Sequence, residues 1–333
     1  VKGQSKSCIT ARFVKGSIAA ITIALVALGA VPLGAASPTL AAAATSSGCS
    51  GASPGSTTLS LNVNGFTRTV IVHVPKSSNG TTPLALVLNL HGSGSTALEQ
   101  EGFTKMNATA NEYDFIVAYP QALIPDGTGF DWNVPGEPLV GGRAVPPKSA
   151  NDVKFLTSLV GIMESKYCVK TTGVYATGFS GGARMTSQLA CDDAGLFAAV
   201  APVSGLRRPK PCATTRAVPV ISFHGSADPI DPFNGNGQNY WTYSVATAAK
   251  DWSNQDHCRS IAHSGPVNDV KLTTYYTCSN GAEIELYEIF GEGHEWPGGP
   301  TLPSLLTNLL GPQSSLVNAN ELMWAFFQAH PLA

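Results

Sequence analysis

Two stretches of alternating apolar and polar residues, 58–63 and 67–74, flank the pair Asn64-Gly65. Period-two alternation around Asn-Gly predicts a β-hairpin, because both residues of a tight hairpin turn need positive φ. The run 84–90 is almost wholly apolar, as in a strand covered on both faces of a parallel sheet, and 115–119 repeats the pattern. From 151 to 167, Val153, Leu156, Val160 and Met163 recur at helical spacing, with Phe155, Leu159 and Ile162 beside them. That is the broad apolar face of a helix lying on a sheet. Beyond it the pattern predicts a strand at 174–177, a helix at 182–191, and strands at 197–203, 218–223 and 284–290. A last helix is predicted at 320–330. Alternating strands and helices predict an α/β fold with a mostly parallel central sheet flanked by helices. No linker interrupts the pattern, so residues 57–333 are expected to form a single domain.

The first 56 residues follow another logic. Lys2, Lys6, Arg12 and Lys15 precede an apolar run, 18–33, and a small-residue stretch, 35–44. This order predicts a secretory signal peptide over 1–44. The apolar run falls short of the ~20 residues a membrane span needs, so no stable membrane association is expected after cleavage. Residues 45–56 are Ser/Gly-rich and read as an arm. Val1 fits equally an alternative start codon, as in a bacterial gene, or a sequence trimmed at its start.

Composition narrows the function. The chain is 43% hydrophobic with a formal charge of −2, which argues against a disordered chain and against a basic nucleic-acid-binding field. Seven cysteines are present, and Cys8 would leave with the leader. An even set remains, as in an exported, disulfide-bonded protein. Cys191–Cys212 and Cys258–Cys278 would close local loops, leaving Cys49–Cys168 to tie down the arm. None of the cysteines has zinc-site spacing, and no metal or cofactor is expected.

Two segments match G-x-S-x-G: Gly51-Ala52-Ser53-Pro54-Gly55 and Gly178-Phe179-Ser180-Gly181-Gly182. A nucleophile elbow needs a strand before the serine, a helix after it and a free N–H on the next residue. Pro54 has no N–H, and Ser53 lies in the arm. Ser180 meets every condition and is the candidate nucleophile. A serine hydroxyl needs a base and a group to orient that base. In the chain order Ser…Asp…His, Asp228 lies just past a strand end and His294 lies on a Gly-rich loop after the last predicted strand. Asp231 is the rival acid and His224 the rival base. The Gly181 N–H would supply one oxyanion donor. Ser93, in His91-Gly92-Ser93-Gly94, would supply the other, with His91 bracing that loop. Trp296, two residues from His294, and Trp132 are candidate substrate contacts.

These segments, with Tyr167-Cys168-Val169, Phe223-His224-Gly225-Ser226-Ala227-Asp228 and Gly293-His294-Glu295-Trp296-Pro297, resemble the secreted esterases of carbohydrate esterase family one. That group holds feruloyl esterases, acetylxylan esterases and poly(3-hydroxybutyrate) depolymerase-like proteins. The resemblance runs from about residue 84 to 300. It implies an α/β-hydrolase fold and an extracellular serine esterase, with Ser180, Asp228 and His294 as nucleophile, acid and base. It implies an ester substrate, polysaccharide-linked feruloyl or acetyl groups first and short-chain polyester second. Acyl transfer on the same scaffold is a further reading. Many relatives carry Asn or Tyr where Gly181 stands.

Overall fold

The computed structural model describes residue 49 and residues 53–235 and 239–333. The expected leader and most of the expected arm lie outside the described residues. A single compact unit, 43–333, holds everything described.

The chain opens with the hairpin of β1 (Gly55–Val63) and β2 (Phe66–Val74). Asn64 at φ 51° and Gly65 at φ 83° make its turn, as Asn-Gly favours. The expected arm therefore ends early, because Gly55 and Ser56 already pair in β1. β3 (Leu84–Leu90) follows, then α1 (Ala97–Thr104), α2 (Met106–Tyr113) and β4 (Phe115–Pro120). A small ribbon, β5 (Ile124–Asp126) with β6 (Gly129–Asp131), leads to α3 (Asp152–Lys166) and β7 (Val169–Phe179). α4 (Gly181–Asp192), β8 (Ala199–Val203), β9 (Val220–Gly225) and α5 (Val245–Gln255) come next. The chain ends with β10 (Ser260–His263), β11 (Val270–Tyr276), β12 (Ile284–Ile289), α6 (Ser304–Leu310) and α7 (Ala319–Ala329).

Ten strands form one sheet in the order β1-β2-β4-β3-β7-β8-β9-β12-β11-β10. The six from β4 to β12 run parallel, and antiparallel strands close each edge. Strand alternation sorts the core onto two faces. Leu86, Leu88 and Leu90 of β3 join Leu156 of α3, Leu189 of α4 and Trp252 of α5. Val87 points the other way, toward Met106 of α2 and Trp324 and Phe327 of α7. The result is a helix–sheet–helix sandwich, the layering expected of parallel sheets.

A buried ion pair pins the first edge. Arg68 Nη1 on β2 lies 2.7 Å from Asp152 Oδ1 in the first turn of α3. Asn151 caps that helix, its Oδ1 accepting from Lys154 N–H at 2.9 Å. The disulfides are Cys49–Cys168, Cys191–Cys212 and Cys258–Cys278, the three pairs expected from the sequence. Among the described residues, no helix is long and apolar enough to cross a membrane.

Candidate active site

All three expected catalytic side chains follow the carboxyl ends of parallel strands, where crevices in such sheets open. Ser180 follows β7, Asp228 follows β9 and His294 follows β12.

Ser180 sits at φ 53°, ψ −116°, a region that costs a non-glycine residue about 1–3 kcal/mol and persists only where the surroundings enforce it. Ser180 N–H donates to Val203 O at 3.0 Å, and Ser180 O accepts from Arg184 N–H at 3.0 Å. A Cβ on Gly178 would stand 2.7 Å from the Gly182 backbone, and one on Gly182 would overlap Leu90 O. The turn is tight because both flanking positions lack side chains. It turns the hydroxyl into a cavity of about 630 Å³ that His294 also lines.

Asp228 is held by its own turn. Its Oδ1 accepts the N–H groups of Ile230 and Asp231, each at 2.8 Å. That leaves Oδ2 for His294 Nδ1, at 2.7 Å. A carboxylate can only accept, so the imidazole proton lies on Nδ1 and Nε2 is left as the basic nitrogen. Burial alone would push the Asp228 carboxyl up. The charge of His294 and hydrogen bonds from His224 and His294 hold it well below the usual range. Burial disfavours the His294 imidazolium, but the charge and hydrogen bond of Asp228 outweigh that, and its pKa is raised above 6.5. Among the described residues no hydrogen bond yet joins Ser180 Oγ to His294. Such bonds are often long before substrate binds.

The histidine loop is anchored from two sides. Gly293 N–H donates to Pro312 O at 2.8 Å, and His294 N–H donates to Leu310 O at 2.6 Å. Ala227 N–H, beside the acid, donates to Glu292 O at 2.9 Å.

The two expected oxyanion elements also meet. Gly181 opens α4, where its N–H has no partner four residues back. A Cβ on Gly181 would collide with Ser93 Oγ and stand 3.2 Å from Ser93 N. Glycine at this position lets the two loops close. Sequence reasoning missed what holds Ser93. Asp131, buried at the end of β6, takes a hydrogen bond from the Ser93 side chain, accepts Gly94 N–H at 3.2 Å and pairs with Arg143. Arg143 in turn lies 2.9 Å from Asp126. No motif marks Asp131 in the sequence; only the β5–β6 ribbon brings it to the loop.

His91 braces the same loop. Its Nδ1 lies 2.8 Å from Gly92 O and its Nε2 3.1 Å from Ala122 N, and burial pushes its pKa down to about 4. The rivals are placed otherwise. His224 Nε2 lies 2.7 Å from Asp231 O and 3.3 Å from Asp228 Oδ2. It supports the acid and does not line the cavity. Asp231 has its pKa raised to about 6 by burial and leaves Oδ1 without a partner.

Two expectations are corrected. Trp296 is 1% exposed and donates to Asn320 Oδ1 at 3.0 Å. Trp132 is 2% exposed, and its Nε1–H donates to His91 O at 2.8 Å. Both are core supports, and neither lines the cavity. The aromatic lining is Phe103 and Phe179, whose rings meet at 4.9 Å. Among the described residues, no group of three or more His, Cys, Asp or Glu could hold a metal ion.

Against this geometry, the family model described as "Esterase PHB depolymerase" matches residues 71–239. The chain belongs to the Esterase PHB depolymerase family. NocK, classed as an esterase, of Nocardia uniformis subsp. tsuyamanensis is 31% identical over 65% of this chain and 66% of its own length. Feruloyl esterase B of Piromyces equi is 29% identical over 68% of this chain and 42% of its own length. The chain thus spans less than two thirds of either relative. The solved acetyl xylan esterase of Aspergillus awamori covers 76% of this chain and 98% of its own, with a TM-score of 0.53 at 17% identity. That likeness establishes a shared α/β-hydrolase fold. The matched span of the family model holds Ser93, Ser180 and Asp228, while His294 lies beyond it.

Proposed function

We propose that this chain is an exported serine hydrolase of carboxylic esters, working through an acyl-enzyme on Ser180. The observation that carries the reading is the His294–Asp228 pair at 2.7 Å, with His294 lining one cavity together with a serine on a strained elbow. His294 Nε2 takes the proton of Ser180 Oγ as that oxygen bonds the ester carbonyl carbon. The developing oxyanion lies against the N–H groups of Gly181 and Ser93. The carbonyl–alkoxy bond then breaks, and His294 returns its proton to the departing alcohol. Water repeats the sequence on the acyl-enzyme and frees the acid.

The leader over 1–44 and the catalytic domain over 57–333 belong to the same proposal. Three disulfides support it, since such bonds persist in oxidising compartments. Acetyl and feruloyl esters of plant polysaccharide and short-chain polyester are the candidate substrates, supported by the names of the family and of its relatives. Purified protein is expected to hydrolyse p-nitrophenyl acetate and Ser180→Ala to lose that activity with an unchanged circular dichroism spectrum. Undiminished hydrolysis by Ser180→Ala would overturn the reading.

A further inference from the structure

α6 carries Leu305, Leu306, Leu309 and Leu310 within seven residues and buries none of them. Leu306 is 41% and Leu309 61% exposed, yet both line the cavity that holds Ser180 and His294. Leu305, 77% exposed, does not line it. A helix this short does not hold its shape alone in water, and no side chain caps its start. It is held by its ends. His294 N–H donates to Leu310 O at 2.6 Å. Gln313 accepts Leu302 N–H at 2.7 Å and donates to Pro300 O at 2.9 Å. The active-site histidine and an uncovered apolar helix therefore share one backbone tie.

An apolar face open to water beside the reacting atoms is a surface for an apolar partner. Its continuity with the catalytic cavity says which partner. Leu302 and Leu310, with Val140 and Ile230, add to the aliphatic lining of the cavity that Ser180 also lines. The volume of about 630 Å³ lies within the range of sites that enclose a drug-sized ligand, and is far more than an acetyl group fills. α6 offers the cavity leucines alone; the polar side chains of the lining, Ser93, Ser95, Glu99 and Gln100, come from the Ser93 loop and α1.

We propose that the wall made by Leu302, Leu306, Leu309 and Leu310 binds an unbranched aliphatic chain of medium length beside the scissile ester. The site then selects such esters over acetyl and feruloyl ones. The proposal rests on the hydrolase reading and narrows its substrates, setting acetyl and feruloyl esters below aliphatic ones. Water leaves the leucines only when a chain covers them, and each buried methylene adds to the preference.

The test measures kcat/KM for p-nitrophenyl acetate, butyrate and octanoate, for ethyl and octyl acetate, and for methyl ferulate. The two alkyl series separate a chain on the acyl side from one on the alcohol side. The expected result is a preference of at least about tenfold for the longer chain in one series, with ferulate below it. The double variant Leu306→Ser/Leu309→Ser should bring that ratio close to one. Leu305→Ser should keep the original ratio. Flat profiles in both series, ferulate above octanoate and octyl acetate, or an unchanged ratio in the double variant would overturn the proposal alone. Inertness toward every ester, p-nitrophenyl acetate included, overturns the hydrolase reading and this proposal with it.

Discussion

Asp228 Oδ2 lies 2.7 Å from His294 Nδ1, across 66 residues of chain. The contact fixes the imidazole tautomer and points the basic nitrogen away from the acid. Asp228→Asn removes the charge and lets the side chain donate, which favours the opposite tautomer. We expect kcat to fall about 10³–10⁴-fold, with little change in KM. A loss below about tenfold, measured on p-nitrophenyl acetate, would show that Asp228 does not orient the base.

The same pair sets the pH profile. The base must be neutral to accept a proton, and Asp228 raises the His294 pKa above 6.5. Activity therefore rises with pH, and the midpoint of the acid limb of kcat/KM should lie above 6.5. The midpoint belongs to the coupled pair as a whole. A plateau already reached at pH 5.5 would contradict this.

Gly181 and Ser93 make a second test. A methyl group on Gly181 has no room beside the Ser93 side chain, so Gly181→Ala should displace the oxyanion loop. Asp131→Asn should loosen it from behind, by weakening the tie to Gly94 N–H and the pairing with Arg143. Both variants should lose about 10–1000-fold in kcat while KM moves less, because the oxyanion forms only in the transition state. Equal changes in kcat and KM, or none, would remove these residues from the oxyanion site.

Much of this was legible from side-chain order, and the omissions have physical reasons. The buried strands announced themselves because apolar runs such as 84–90 have few alternatives. The elbow stood out because glycines are needed on both sides of Ser180. The Asn-Gly turn set the hairpin. α2 escaped because Met106–Tyr113 places few apolar residues on its inner face and relies on β4 for support. β7 proved longer than 174–177, because Val169 pairs with Leu84 ahead of a polar stretch. The edge strand β10 and its neighbour β11 bury only Thr273 between them and alternate weakly. Trp296 looked like a pocket residue by its nearness to His294 in sequence. The chain reverses there and carries the indole to Asn320 of α7. Asp131 and the leucines of α6 gain meaning only from loops that meet in space.

Glu292 and Glu295 flank His294, are buried, and leave all four carboxyl oxygens without partners. Burial pushes their pKa values up to about 8 and about 7. Folded protein then holds protons that unfolded chain releases above about pH 4.5, so stability falls as pH rises from about 5 to 8. Glu292→Gln and Glu295→Gln should flatten that fall and raise the melting temperature at pH 8 more than at pH 5. Equal shifts at both pH values would show that the carboxyls are ionised in the folded state.

The measurement that bears most directly on Ser180 as nucleophile is the intact mass of the protein after a fluorophosphonate, with peptide mapping of the adduct. One phosphonyl group on Ser180 is expected, lost in Ser180→Ala and strongly slowed in His294→Ala. Labelling of another residue, or a rate on Ser180 indifferent to His294, would contradict the account.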